Sequence, residues 1–362
     1  MKNFKRIVCI AIVAVMIFCA PMTAFAQSES NTAAISIGGI LDVFFKVFAD
    51  IRYVVGGVFG ANKIEKSCVG EFKVPALDKG FIPQGMCYVS TLDSFAICGY
   101  TDDGTASILN IVDKDGNAKT FRLKNIGGSD YKGHAGGCAS DGKNLFITSG
   151  KYAHRLRVSD IAAAKDGDTL RFVDKFNTGT NASFAFCDDD MLWVGEFMTN
   201  DGNYTTDESH HIRISLFEKS KAWCVGFKID DNFENSIGYK ASSSDIVTPD
   251  CIVTIPNKVQ GFARLPDGSF ALSISYGRQL DSKLKFYPNV MKDEADRYVE
   301  INSEKVPVWH LSSKRMTRVQ TMPTMMQGID VEDGRMYLLF ESCANKYSNA
   351  VRIVDEVWSF RF

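Results

Sequence analysis

Two glutamates are the first residues in this chain that suggest chemistry. Met191-Leu192-Trp193-Val194-Gly195-Glu196 and Met336-Tyr337-Leu338-Leu339-Phe340-Glu341 are apolar runs of one shape, each ending in a carboxylate. Aligned end to end, they place Glu196 and Glu341 at one register position, the end of a second strand. Paired carboxylates are what glycoside hydrolysis needs, one as acid and one as nucleophile or base at a set separation. Two glutamates at equivalent strand ends also serve as salt-bridge partners for Arg278 or lysines. His134, in the loop Tyr131-Lys132-Gly133-His134, is the general-base candidate, and the bland reading is that it holds a turn.

Three glutamines form a second set. Gln84, Gln260 and Gln327 each precede glycine and an apolar strand. Their amides suit a cation, a water or a polar ligand, and equally a structural girdle between neighbouring backbones. With Glu196 and Glu341 they are candidate oxygen ligands for a metal in a lactonase-like hydrolase; the sequence leaves the cofactor unknown, with a channel Ca2+ as one candidate. Tyr276 and Arg278 lie at another strand end and join the ligand-binding candidates.

Other patterns carry less. Asp113-Lys114-Asp115-Gly116-Asn117 starts like a calcium loop, but Lys124 stands where the twelfth-position glutamate belongs, so it reads as a turn, as do the aspartates at 188 to 190. His210 and His211 are adjacent and on a strand would face opposite sides. No GxSxG, HExxH or P-loop pattern occurs. The net charge of −2 gives no basic footprint for nucleic acid.

What positions these residues is a repeat. A small residue or Gln, then Gly, an apolar strand, a turn with Asp or Gly and a second apolar strand recur from anchors at 84, 136, 183, 260 and 327, the third copy degenerate. Third strands are expected at 107–112, 154–158, 211–217, 306–311 and 357–362, and fourth strands at 120–123, 172–176, 251–255 and 317–322. The last copy lacks a fourth strand, and an orphan strand at 68–74 precedes the first. If that strand completes the last blade, the ring closes without an open edge. The expected fold is therefore all-β, a five-bladed β-propeller closed by an N-terminal strand. The chain length also accommodates six blades, and an open β-sandwich pair is the structural alternative.

The segments His134-Ala135-Gly136-Gly137, Ser275-Tyr276-Gly277-Arg278 and Phe340-Glu341-Ser342, with the Gln-Gly strand starts, resemble a family of secreted bacterial β-propeller proteins of uncharacterised function. The resemblance covers about residues 65 to 362. It implies the propeller and export, and no particular activity.

Upstream, Lys2, Lys5 and Arg6 precede an apolar run from Ile7 to Ala20 and Ala24-Phe25-Ala26, which reads as a signal peptide over 1–26 and a secreted, extracytoplasmic product. Residues 27–64 hold an amphipathic helix, centred on 33–60, and a linker before the domain at 65–362. The apolar face of the helix suits either the flank of the domain or a membrane surface. Eight cysteines remain after the signal, none at zinc-ligand spacing. A two-residue turn at Leu92-Asp93 would set Cys87 opposite Cys98, within disulfide range.

The expected function is an exported binding module that contacts a polar small molecule, a glycan or a protein at the channel mouth without turnover. The alternative is a glycosidase or metal-dependent, lactonase-like hydrolase using channel carboxylates or a channel metal. A third reading is a surface scaffold held by the helix at 33–60.

Overall fold

The computed structural model describes residues 43, 45–48, 51, 62–188, 190–239 and 245–362. The signal expectation over 1–26 lies outside them. So does most of the helix expected over 33–60, of which Val43, Phe45–Phe48 and Ile51 are described and helical. Among the described residues no helix is long and apolar enough to cross a membrane.

The repeat folds as a five-bladed β-propeller. Blade one is Phe81–Val89, Ser94–Thr101, Ile108–Asp113 and Ala118–Lys124, and blade two is Gly137–Ser140, Asn144–Ser149, Tyr152–Arg157 and Asp174–Asn177. Blade three is Ala182–Cys187, Met191–Glu196, Ala222–Lys228 and Cys251–Ile255, and blade four is Val259–Arg264, Phe270–Ile274, Asp281–Tyr287 and Arg318–Thr324. Blade five is Met326–Glu332, Arg335–Phe340 and Glu356–Arg361, completed by Val69–Lys73, which pairs antiparallel with Glu356–Arg361. The orphan strand thus closes the ring as the outer strand of blade five, covering the edge that Glu356–Arg361 would otherwise expose.

Two third strands differ from expectation. The segment 211–217 is not in blade three; Ile212–Arg213 pairs only with Lys219–Ser220 in a side hairpin whose tip leaves Phe217 95% exposed. The blade strand is Ala222–Lys228, and Gly226 interrupts its apolar run because a Cβ there would lie 2.7 Å from the Cys251 sulfur. The segment 306–311 is not in blade four either. Glu304–His310 forms a hairpin with Arg297–Ile301 and extends blade three by pairing parallel to Cys251–Ile255. Blade four uses Asp281–Tyr287, where Lys283 and Lys285 alternate with buried Ser282, Leu284 and Phe286 and mask the apolar signal.

The register of the first hairpin also differs. A 3-10 turn at Ser90–Leu92, with Asp93 in the left-handed region at φ 47°, sets Val89 opposite Ser94. Cys87 then faces Ala96 and Cys98 faces Gly85, so the two are not cross-strand partners, and both are free thiols. They lie instead in one core cluster with Cys138 of blade two, whose thiol donates to the Ala96 carbonyl at 3.5 Å while that of Cys98 donates to the Ala135 carbonyl at 3.3 Å.

The blades are held by apolar faces packed between sheets. Phe95 of blade one lies 5.4 Å from Phe72 and 4.6 Å from Tyr337, both in blade five. Phe262 of blade four packs 5.3 Å from Trp193 of blade three. Each such ring, fully buried, contributes roughly 2–3 kcal/mol.

At the axis the packing is backbone on backbone. A Cβ on Gly85 would sit 2.5 Å from the Cys138 nitrogen, and one on Gly137 would sit 2.4 Å from the Ala185 nitrogen. On Gly261 it would meet the Gln327 oxygen at 2.7 Å, and on Gly328 the Met86 nitrogen at 2.8 Å. The glycine of the repeat therefore lets each inner strand close on the next one round. Blade three carries Phe184 at this position, and its ring stacks at 6.4 Å on Phe262 of blade four.

Candidate functional site

The anchor residues face one mouth of the axis, and in four of the five blades the inner strand bulges there. Register breaks fall between Pro83 and Gly85, Ala182 and Phe184, Val259 and Gly261, and Met326 and Ile329. The residues skipped are Gln84, Ser183, Gln260 and Gln327 with Gly328. A bulged residue leaves the ladder and its side chain is re-aimed, here into the axial opening.

A second ring lies at the ends of the second strands. Counting from the paired residues places Tyr100, Gly150, Phe197, Ser275 and Glu341 at equivalent positions. All five line a cavity of about 510 Å³, together with Gln84, Ser183, Gln260 and Gln327. His134, Tyr276, Arg278 and Tyr347 complete its wall.

Seven of the eight candidate residues thus share one cavity, and Glu196 does not. Leu338 pairs with Ile329 and Val194 with Ala185, so the equivalent of Glu341 is Phe197, one residue beyond Glu196. Side chains alternate along a strand, so a slip of one residue turns Glu196 to the other face. There its Oε1 accepts from the Asn181 N–H at 3.1 Å and its Oε2 from the Trp223 N–H at 2.9 Å. His210 Nδ1 lies 2.9 Å from Oε1, and its ring stacks on Trp223 at 3.9 Å. This carboxylate ties the blade-three loop to its sheet. His211, by contrast, lies beside Thr206.

Glu341 is the one carboxylate among the described lining residues. Gln84 Nε2 donates to its Oε1 and Gln327 Nε2 to its Oε2, both at 2.7 Å, and the Tyr347 hydroxyl donates as well. Burial pushes its pKa up, while these three donors and the Lys346 charge pull against that.

The network fixes protons outward from Glu341. Because Gln84 gives its NH2 to the carboxylate, the Gln84 Oε1 is an acceptor, and His134 Nε2 at 2.8 Å must be the donor. Loss of solvation, then the Lys346 charge, lowers the His134 pKa, so the ring is neutral at pH 7 with Nδ1 bare. Tyr100 stacks on the imidazole at 4.7 Å and shares a 3.1 Å hydrogen bond with Tyr347.

The facing wall is aromatic. Tyr276 is 5.9 Å from Phe197 and 6.2 Å from Tyr204, and its hydroxyl donates to Asp201 at 3.0 Å. Thr199 and Asn203 also donate to Asp201, whose carboxyl is pulled down to about 2. Arg278 stacks over Tyr347 at 4.8 Å and donates to Asn349 Oδ1 at 3.0 Å.

The other mouth has a different character. A cavity of about 660 Å³ is lined there by Asp141, Asp188, Asp190, Asp267, Asp330 and Glu332, with Arg264 paired to Asp188 at 3.2 Å. Burial pushes the Asp330 carboxyl up to about 7, against a 2.6 Å hydrogen bond from the Tyr88 N–H. Among the described residues no group of three or more His, Cys, Asp or Glu side chains is placed to hold a metal ion. Asp113 accepts from the Asp115 and Asn117 N–H groups and closes a strand turn.

No family model and no curated protein matches the chain. The PQQ-bound form of aldose sugar dehydrogenase from Streptomyces coelicolor is similar at 12% identity, over 80% of this chain and 96% of that one, with a TM-score of 0.42. BamB from Moraxella catarrhalis is similar at 10% identity, over 77% and 82%, with a TM-score of 0.29. A gluconolactonase from Xanthomonas campestris is similar at 9% identity, over 81% and 94%, with a TM-score of 0.34. These neighbours are β-propeller proteins, and the likeness is one of fold alone.

Proposed function

We infer that the chain is an exported binding module that holds a polar ligand in the Gln84–Gln327 cavity without turning it over. The observation that carries this reading is the state of Glu341. Each carboxylate oxygen accepts from a glutamine amide and the Tyr347 hydroxyl donates as a third partner, so three of its roughly four acceptor sites are spent on orienting the wall. A glycosidase needs a second carboxylate roughly 5–9.5 Å away, and Glu196 is committed to His210 and Trp223 instead. What remains open to a ligand is the Gln260 amide, the Gln327 Oε1, the bare His134 Nδ1 and the tyrosine faces, a set suited to hydroxyl-bearing molecules. Export is supported by Lys2, Lys5 and Arg6 ahead of the apolar run and Ala24-Phe25-Ala26.

Calorimetric titration with a panel of polar small molecules and glycans tests the reading, run beside hydrolysis assays on glycoside and lactone substrates. Saturable binding without product supports it. Product formation that is lost in His134→Asn or Glu341→Gln overturns it in favour of the hydrolase.

A further inference from the structure

We propose that the ligand of this cavity is a sugar acid, a pyranose carrying a carboxylate, with Arg278 holding the carboxylate and Tyr276 facing the ring. The proposal rests on the binding reading above and names the ligand class for that same site.

The argument begins with charge. Arg278 is the one permanently charged cation among the described lining residues, and Lys346 stands just behind, 5.2 Å from the Tyr100 ring and 5.6 Å from that of Tyr347. Among the described residues neither cation has a carboxylate partner in an ion pair. Arg278 is nevertheless held in place. Its guanidinium stacks on Tyr347, Nη1 donates to the neutral Asn349 side chain, and its carbonyl accepts from the Val351 N–H at 3.1 Å. One of five N–H donors is used within the protein, which leaves a pre-set fork for a planar anion. Glu341 makes no ion pair with that fork; its carboxylate accepts instead from Gln84, Gln327 and Tyr347.

The rest of the wall selects what carries the anion. Tyr276 is fixed by Asp201 and presents an aromatic face, with Lys258 at 5.0 Å from its centroid. A sugar's C–H face packs on such a ring while its hydroxyls reach Gln260, Gln327 Oε1 and His134 Nδ1. A flexible fatty acid would leave those polar groups unpaired, and an inorganic anion would leave the aromatic wall and most of the 510 Å³ unfilled.

The test is titration calorimetry on the full chain with D-galacturonate and tetragalacturonate, against D-galactose and a neutral tetrasaccharide, at low and high salt. The expected result is uronate binding at least ten-fold tighter than the neutral counterpart, with the advantage shrinking in salt. Arg278→Gln should abolish the advantage and Lys346→Gln, a surface change, should reduce it, both with melting temperatures unchanged. The tetramer arm separates a polymer ligand from a free one. Neutral sugars bound as tightly as uronates, or uronates unbound while another polar panel member binds, would overturn the sugar-acid assignment alone. Failure of every panel member would overturn the binding reading as well.

Discussion

The amide of Gln84 and the carboxylate of Glu341, 257 residues apart in sequence, meet at 2.7 Å across the seam between the first and last blades. The cavity wall is therefore built where the ring closes, and site and fold share a contact.

Replacing Glu341 by alanine would leave the donors of Gln84, Gln327 and Tyr347 unpaired in a buried pocket. Each unsatisfied group costs about 1–3 kcal/mol, and partial relaxation brings the expected loss to roughly 2–4 kcal/mol in urea unfolding. Glu341→Gln, which keeps an acceptor, should lose less stability, yet it should weaken ligand binding because the His134 tautomer is no longer dictated. An unchanged unfolding midpoint in the alanine variant would show that the network carries no load.

Gly85→Ala would press a Cβ to within 2.5 Å of the Cys138 nitrogen and open the axis. The expected cost exceeds about 2 kcal/mol, in the range of overpacked interiors. Gly127→Ala, with nothing within 4 Å of the added carbon, is the matched control and should leave the melting temperature in place.

Asp330 predicts how stability depends on pH. Its carboxyl, held near 7 in the folded chain, ionises near 4 when unfolded, so the native state binds the extra proton between those values. Its contribution is full below pH 4 and is lost as pH rises to about 7, at up to roughly 1.4 kcal/mol per pH unit. Asp330→Asn should flatten that slope and stabilise the protein at pH 8. Denaturant midpoints of both proteins between pH 4 and 8 measure it, and parallel profiles would disprove the assignment.

All eight cysteines after residue 26 are thiols, and six of them are buried. Burial drives the Cys343 and Cys251 thiols up to about 12 and those of Cys98, Cys138 and Cys224 well above the ordinary value. An aromatic disulfide reagent should accordingly titrate at most Cys187 and, slowly, Cys68 in the native protein, and the rest only on unfolding.

Much of this molecule was legible because the repeat is written in residues that face other backbones. A glycine that must admit the next strand recurs in four blades, and a bulged residue at the anchor in four, so the anchors, the five blades and the closing strand could be read. The third strands of blades three and four were not, since Gly226, Lys283 and Lys285 break the apolar pattern for packing reasons invisible without neighbours, while Val306 to Leu311 looks apolar in an appended hairpin. The site residues could be named, but not their partners. Glu196 and Glu341 look alike in a run of six residues, and only the bulge beside Gln327 and the pairing of Val194 with Ala185 show that they point to different faces.

The glycine collar has one more effect. Inner strands touch their neighbours round the ring, and the two openings of the propeller have no lining residue in common. A molecule that enters past Tyr276 and Arg278 meets glutamine amides and tyrosine rings, whereas one that approaches the opposite mouth meets a rim of aspartates, so the two ends of one ring present opposite chemistries.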